Sequence, residues 1–368
     1  MSDQSSSDGE VALTDLRRRI DEIDARIQAL ISERAAVARQ VGTAKGFTRS
    51  SDFYRPEREA HVLRKVVRRN EGPLGDGEMV RVFREIMSAC LAQEEPLKVA
   101  FLGPEGTFTQ SAVLKQFGHS VRALSLPTID EVFREVEGGT ADFGVVPVEN
   151  SSEGTVTHTL DMFLSSPLKI CGEVELRIHQ HLMGRMDNVR RIDRICSHPQ
   201  SLAQCRTWLA QSLPNVETIP VSSNAAAARR ARDEKGTAAI AGDVAAEVYN
   251  LNIVIPNIED YADNTTRFLV IGRKLFPPSG EDKTSLLLSS AGTKGAGVLH
   301  NLLDPLARGG ISMTRIESRP SRRRKWDYVF FVDIDGHAED DDVSHALAQV
   351  ESQTNLFRVL GSYPKAVL

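Results

Sequence analysis

Near the start of the chain, Leu13, Leu16, Ile20, Ile23, Ile27 and Leu30 recur at spacings of 3, 4, 3, 4 and 3. Arg34, Val37 and Val41 continue the rhythm as 4, 3 and 4. An apolar seam sustained on a heptad period demands one long helix that buries a face against other helices. Thr14 is a candidate early cap and Gly46 a candidate stop. A second helix is expected from Pro56 through Val62, Val66 and Val67 to about Asn70. The stretch EGPLGDGE breaks it, and a third helix follows through Val82, Phe83, Ile86, Met87 and Leu91. Three helices of such unequal length close a poor core alone, so the unpaired seam points to dimerisation.

Pro96 marks a change of period. LKVAFLG reads as a buried strand, GPEGTFTQSA as a tight turn opening a helix, and DFGVVPVEN as an apolar strand with a polar end. Strand and helix patterns alternate to RFLVIGRKL near residue 275, an α/β pattern expected to carry a largely parallel sheet. After the linker PPSGED the order is β-α-β-β-α-β, the ferredoxin-like arrangement. The expected domains are therefore residues 10–95 (all-α), 97–275 (α/β) and 283–364 (α+β).

A chain of 368 residues suits two or three such cores. A net charge of -5 argues against nucleic acid as a partner. Cys90, Cys171, Cys196 and Cys205 form no CxxC pair, which fits a reduced cytoplasmic protein. The opening MSDQSSSDGE lacks the basic start and apolar run of a secretory signal and reads as a frayed tail. No apolar stretch reaches the roughly 18–20 residues of a membrane span.

Arg34 occupies a seam position that the heptad reserves for an apolar residue, and Arg17, Lys45, Arg58 and Glu59 add charge around it. One arginine there reads as a snorkelling side chain. Several cations together read as partners for an anionic ligand, since a buried cation needs one. Arg17 and Lys45 are 28 residues apart, about 42 Å along a straight helix, and Arg17 and Arg34 about 25 Å. One small molecule cannot touch both ends of one helix. If both bind the same ligand, Arg17 comes from a second chain.

LRRRIDEID, ISERAAVARQVGTAKG, PEREAHVLRKV and FREIMSACLAQE, over roughly residues 10–95, resemble the all-helical chorismate mutases. That family turns chorismate into prephenate by a pericyclic rearrangement. The resemblance implies that Arg17 of a partner chain, Arg34 and Arg58 grip the substrate carboxylates. It sets Lys45 at the ether oxygen and Glu59 at the ring hydroxyl. Catalysis then comes from holding the reactive shape and stabilising charge on the breaking ether. Three positions depart from the family pattern. Glu94 stands where a glutamine donates to the ether oxygen, so it must be protonated to do so, and mutase activity should fall as pH rises. Cys90 stands where a serine is frequent, and Arg55 where some members carry an aspartate.

In the middle segment, GPEGTFT lacks the GxxxxGK[ST] spacing and a lysine, which argues against nucleotide. Its glycines suit the approach of backbone amides to a carboxylate. Glu149, Asn150 and Ser151 follow a buried strand, the usual place for an α/β site. SHPQSLAQC and DNTTRFLVI supply two more polar clusters. Each alone reads as a turn or a cap; three in one domain point to a site. His179 and His181 lie two apart, but no acidic or cysteine partner follows at metal spacing, so no metal is expected.

Together GPEGTFT, VVPVENSSEG, SHPQSLAQC and TTRF, over roughly residues 98–275, resemble the prephenate dehydratases. These have two subdomains flanking a cleft, like a periplasmic solute-binding protein. They convert prephenate to phenylpyruvate, losing carbon dioxide and water, with no cofactor. The resemblance puts Thr266 closest to the chemistry, with Glu149 and Asn150 shaping the site. Arg267 either positions a carboxylate or serves the structure; Thr107, Ser197 and Gln200 are weaker substrate contacts.

GAGVLHNLL and TRIESRP resemble the ACT-type phenylalanine-binding domain attached to these dehydratases. The resemblance implies feedback inhibition by L-phenylalanine, bound between paired domains. It places Gly297, Val298 and Leu299 at a helix start and Glu317, Ser318, Arg319 and Pro320 at a strand end. A dehydratase with a mutase reduced to a dimerisation arm is one alternative, against which Arg34, Lys45 and Arg58 speak. A non-catalytic solute-binding protein is another, against which Thr266 and Glu149 speak.

Overall fold

The computed structural model describes residues 3–46, 52, 54–93, 95–290, 297–321 and 328–367. Helix α1 (Asp3–Ala44) is continuous over 42 residues, about 63 Å of helix. The expected frayed tail and the Thr14 cap are therefore corrected: α1 runs through both. It ends where Gly46 takes a left-handed φ of 64°, a conformation that costs glycine little. The eight apolar seam residues from Leu13 to Val41 are 44–62 % exposed in the single chain.

Helix α2 (Pro56–Arg69) opens on proline and places Glu57 and Glu59 in its first turn and Arg68 and Arg69 in its last, matching the helix dipole at both ends. It packs on α3 (Asp76–Leu91) through Leu63, Val80 and Met87. Both helices are anchored to the rest of the chain. Tyr54, just before α2, is 2 % exposed and packs with ring centroids 5.1 Å from Phe117 (tilted) and 5.1 Å from Phe143 (edge-on). Arg64 on α2 donates to the carbonyls of Ser279 and Glu281 in the second linker.

The middle region holds two sheets. The first orders β2 (Arg122–Leu126), β1 (Lys98–Leu102), β3 (Phe143–Asn150), β11 (Thr265–Gly272) and β5 (Lys169–Arg177), with β4 (Gly154–Thr155) paired to β3. The second orders β10 (Asn252–Ile255), β6 (His181–Gly184), β9 (Thr237–Ala241), β7 (Arg194–Ser197) and β8 (Glu217–Pro220). The chain crosses from first to second after β5 and returns before β11, which makes two subdomains joined by two connections. The expectation of a largely parallel sheet is corrected. β1 runs parallel to β2 and β3, whereas the returning β11 is antiparallel to β3 and β5. In the second sheet β7 runs parallel to β8 and β9, while β6 is antiparallel to β9 and β10.

The C-terminal elements follow the expected order: β12 (Asp282–Ser290), α11 (Val298–Arg308), β13 (Met313–Pro320), β14 (Tyr328–Asp335), α12 (Asp341–Ser352) and β15 (Thr354–Pro364). Their four strands form an antiparallel sheet ordered β13-β14-β12-β15. Leu287, Phe331, Leu360 and Tyr363 of this sheet pack into one apolar cluster with Val146, Val148, Leu269 and Ile271 of the first sheet. The two units thus share an apolar contact. Among the described residues no helix is long and apolar enough to cross a membrane.

Candidate active sites

Glu149 and Asn150 end β3, and Thr266 and Arg267 begin β11; antiparallel pairing sets Thr266 opposite Asn150 and Arg267 opposite Glu149. Neighbouring residues of a strand point to opposite faces, so these four divide into two pairs. The pairing shifts register between Arg267 and Phe268, and Val148, before that shift, packs with the C-terminal sheet.

On one face, Asn150 Nδ2 donates to Thr266 Oγ1 at 2.8 Å and to Asn264 Oδ1 at 2.9 Å. The orientation of the Asn150 amide is set by its other end, since Oδ1 accepts from the amides of Ser152 and Glu153. Thr266 Oγ1 therefore accepts a hydrogen bond from Asn150 and keeps its own proton to donate. Ser151 braces the pair, accepting from Thr265 N with its hydroxyl and donating its backbone amide to Thr265 O. Asn264, 5 % exposed, is a site residue that sequence reasoning passed over. Its signal was present two positions before Thr266 in the polar cluster DNTTRF.

The other face holds a different arrangement. Arg267 Nε meets Glu173 at 2.9 Å, Nη1 meets Asp333 at 2.6 Å, and Nη2 donates to Tyr363 Oη at 3.0 Å. Lys283 adds a second cation to Glu173 at 2.7 Å. Burial pulls against the Arg267 charge, but Tyr363, Asp333 and Glu173 more than offset it, and the arginine stays protonated. Of the two roles open for Arg267, the geometry supports the structural one: it ties the first sheet to the C-terminal sheet. Glu149 likewise turns to that sheet, with Oε2 at 2.9 Å from Arg315 Nε.

Thr107 precedes helix α4 (Phe108–Phe117) at the carboxyl end of β1, its hydroxyl donating to Leu102 O, at the same end at which β3 delivers Asn150. Gly106 before it has φ 83°, and a Cβ there would lie 2.9 Å from the Tyr249 ring and 3.3 Å from Ala245. Only glycine lets this loop meet helix α10 (Asp243–Tyr249) of the second subdomain. Gln200 is half-buried in the short helix Pro199–Gln204 that follows β7 of the second subdomain. Ser197 is fully buried, its hydroxyl bonded to Ile240 O at 2.7 Å and Asn224 Oδ1 at 3.1 Å. Ser197 thus braces the end of β7. His179 pairs with Glu259 at 2.7 Å, and the rings of His179 and His181 stack at 6.3 Å. Burial pushes the Cys171 thiol up to about 12 and raises Cys205 further, which suits inert packing thiols.

On the helices, Arg17 is exposed and Arg34 half-buried on α1; Lys45 is exposed just past its end, and Arg58 is exposed on α2. Arg17 and Lys45, towards opposite ends of the long α1, are not brought together within one chain. Glu59 is 12 % exposed on its side chain and pairs with Arg84 of α3 at 3.5 Å. Burial raises its carboxyl to about 7 although Arg84 pulls it down. Cys90 is buried on α3, and Gln93 joins α3 to α1 by donating to Cys90 O and Ala35 O. Glu94 lies outside the described residues.

In the C-terminal sheet the β13 side chains alternate, with Arg315, Glu317 and Arg319 partly buried and Ile316, Ser318 and Pro320 exposed. Thr155 Oγ1 donates to Glu317 at 3.1 Å, and Arg319 chelates Asp161 at 2.9 and 3.0 Å. Gly297, at φ 85°, precedes α11, where Val298 is half-buried and Leu299 is 38 % exposed.

Two family models match the chain: chorismate mutase type II over residues 16–95 and prephenate dehydratase over residues 99–275. A bifunctional chorismate mutase/prephenate dehydratase of Stutzerimonas stutzeri is 55 % identical over 358 residues, 96 % of this chain and 98 % of that one. The protein of the same description from Aquifex aeolicus is 45 % identical, over 97 % and 99 % of the two chains. Among solved structures, a prephenate dehydratase of Arthrobacter aurescens in complex with L-Phe superposes with a TM-score of 0.67 at 35 % identity, covering 74 % of this chain and 93 % of that one. Matches that span both units at this identity leave one assignment: the chain belongs to the bifunctional chorismate mutase/prephenate dehydratase family, converting chorismate to prephenate and prephenate to phenylpyruvate.

Proposed function

We propose that dehydration of prephenate is carried out by the Thr266 hydroxyl held by Asn150, and that the mutase sites are shared between two chains. The observation that carries the first part is the fixed Asn150 amide, which donates to Thr266 Oγ1 and leaves the threonine proton free. In the reaction the C–CO2 bond of the quaternary ring carbon breaks, its electron pair moves into the ring, and the C–OH bond opposite breaks. One proton is needed to release the hydroxyl as water. Thr266 supplies it, the Asn150 N–H stabilises the oxygen left behind, and a proton from solvent restores the hydroxyl, so one proton is consumed per turnover. Asn264 holds Asn150, and Thr107 with the start of α4 faces the substrate carboxylates.

For the mutase, Arg34, Lys45, Arg58 and Glu59 of one chain with Arg17 of a partner enclose chorismate. The exposed α1 seam supports pairing of two chains, and the helix rise supports donation of Arg17 in trans. Glu94 donates to the ether oxygen in its protonated form, and Cys90 lines the pocket. Mixing Arg17→Ala and Arg34→Ala chains tests the sharing. Hybrid dimers hold one site free of both substitutions, so about a quarter of wild-type mutase activity should return from two inactive parents. No recovery on subunit exchange rejects shared sites.

The C-terminal unit is an ACT-type ferredoxin-like domain that takes L-phenylalanine, as the Arthrobacter aurescens relative does. Gly297, Val298, Leu299 and the β13 residues Glu317, Ser318, Arg319 and Pro320 form the effector region. Support comes from the β13-β14-β12-β15 order and the exposed Met313, Ile316 and Tyr328 beside that region. The contacts from Arg315, Glu317 and Arg319 to Glu149, Thr155 and Asp161 give the effector a short route to Asn150. We divide the chain at residues 10–95, 97–275 and 283–364, and assign it to the cytoplasm.

A further inference from the structure

A cavity of about 510 Å3 lies where α3 of the mutase region, α4 of the first subdomain and α10 of the second meet, and Thr107, Asn150 and Thr266 do not line it. Its volume is that of a small-molecule site. One wall is basic, with Arg81 and Arg84 on α3 and Lys115 on α4. The middle is apolar, with Phe108, Leu114 and Leu176. From the second subdomain α10 contributes Asp243 and Glu247, beside Arg177, His179 and His181 where β5 passes into β6.

Two features of the basic wall are unspent. Ser111 lines the cavity at 9 % exposure, and its Oγ has no hydrogen-bond partner, which a buried hydroxyl rarely tolerates. Arg81 makes no hydrogen bond or ion pair among the described residues, although Glu85, four residues on, is taken by His119. Lys115 donates to Glu175 O, and burial and then Arg84 depress its pKa while the Glu175 carboxylate pulls the other way. Arg84 reaches Glu59 from the same wall.

We propose that this cavity is a binding site for prephenate between the two active sites, its carboxylates on Ser111, Arg81 and Lys115 and its ring hydroxyl towards Asp243 and Glu247. Prephenate carries both carboxylates at one end of a six-membered ring and a hydroxyl at the other. That polarity matches a basic wall, an apolar middle and an acceptor wall. An aromatic amino acid fits worse, because its ammonium sits beside its carboxylate and would face the cations. The inference rests on the two-activity assignment: the occupant is what one reaction makes and the other consumes. Helix α3 thereby adds a wall to the dehydratase that a dehydratase without a mutase unit does not have.

The test uses the full-length chain, with Arg81→Ala and Ser111→Ala as variants; Arg81 is exposed and the serine change only removes an oxygen. Phenylpyruvate, which shares the ring and the pyruvyl carboxylate and is not consumed, serves as the calorimetric probe. The wild type should bind two molecules per chain, and each variant should weaken one of them about tenfold, the scale of one charge-assisted hydrogen bond. During turnover of chorismate, both variants should release a larger transient of free prephenate at unchanged kcat for each separate reaction. One phenylpyruvate per chain in the wild type, or affinities and transient unchanged in both variants, overturns the proposal. Separate assays of the two reactions on the same samples report the underlying assignment: loss of either in the wild type would sink that assignment instead.

Discussion

Arg267→Met should unseat the C-terminal sheet without touching prephenate. In the folded chain two carboxylates, Glu173 at 1 % and Asp333 at 7 % side-chain exposure, face two cations, Arg267 and Lys283. Methionine keeps much of the bulk and removes one cation, leaving Asp333 with Ser285 as its bonded neighbour at 2.6 Å. Breaking one partner from a buried pair costs ~3–5 kcal/mol, because the remaining charge stays buried. At 2–4 °C per kcal/mol for a unit of this size, Tm should fall by roughly 6–20 °C. Adding Asp333→Asn should return part of that loss, since the stranded charge is gone. Scanning calorimetry gives the Tm, and dehydratase kinetics on the same samples give KM. A Tm within about 2 °C of wild type, together with a KM for prephenate raised about 100-fold, would refute the reasoning and restore Arg267 as a carboxylate ligand.

Asn150→Ala removes the donor that orients Thr266; dehydratase kcat should fall about 10- to 100-fold with mutase kcat unchanged, read as separate turnover of prephenate and chorismate. Glu59 has a folded-state carboxyl raised to about 7. Its stabilising effect is therefore complete below the unfolded value near 4.5 and is lost as pH rises through 7, so Glu59→Gln should reduce the loss of Tm between pH 5 and pH 8; an unchanged loss counts against burial of this carboxyl. Ile23→Glu puts a charge in the middle of the exposed seam and should shift sedimentation towards the single chain while mutase activity drops at least tenfold; a full-sized oligomer with full activity contradicts pairing through α1.

Helix α1 was legible because a heptad period is a local signal that needs no partner to be read. Its true start was not, since nothing in MSDQSSSDGE carries a period, and Asp3–Ala44 is helical all the same. The β-α-β-β-α-β run was legible from alternating patterns. The returning strand β11 was not, because an apolar run reads the same in a parallel and an antiparallel sheet. At the dehydratase site, the motif residues were visible but their faces were not. The register shift between Arg267 and Phe268 decides that Asn150 joins Thr266 while Glu149 and Arg267 turn to the C-terminal sheet. Ser197 was visible as a polar strand end, whereas its bonds to Asn224 and Ile240, both distant in sequence, were not.

The most direct measurement supplies chorismate to the Thr266→Ala chain and follows prephenate and phenylpyruvate together. Prephenate should accumulate at the wild-type mutase rate with no enzymatic phenylpyruvate. Phenylpyruvate formed at close to the wild-type rate would contradict the assignment of the dehydration to the Asn150–Thr266 pair.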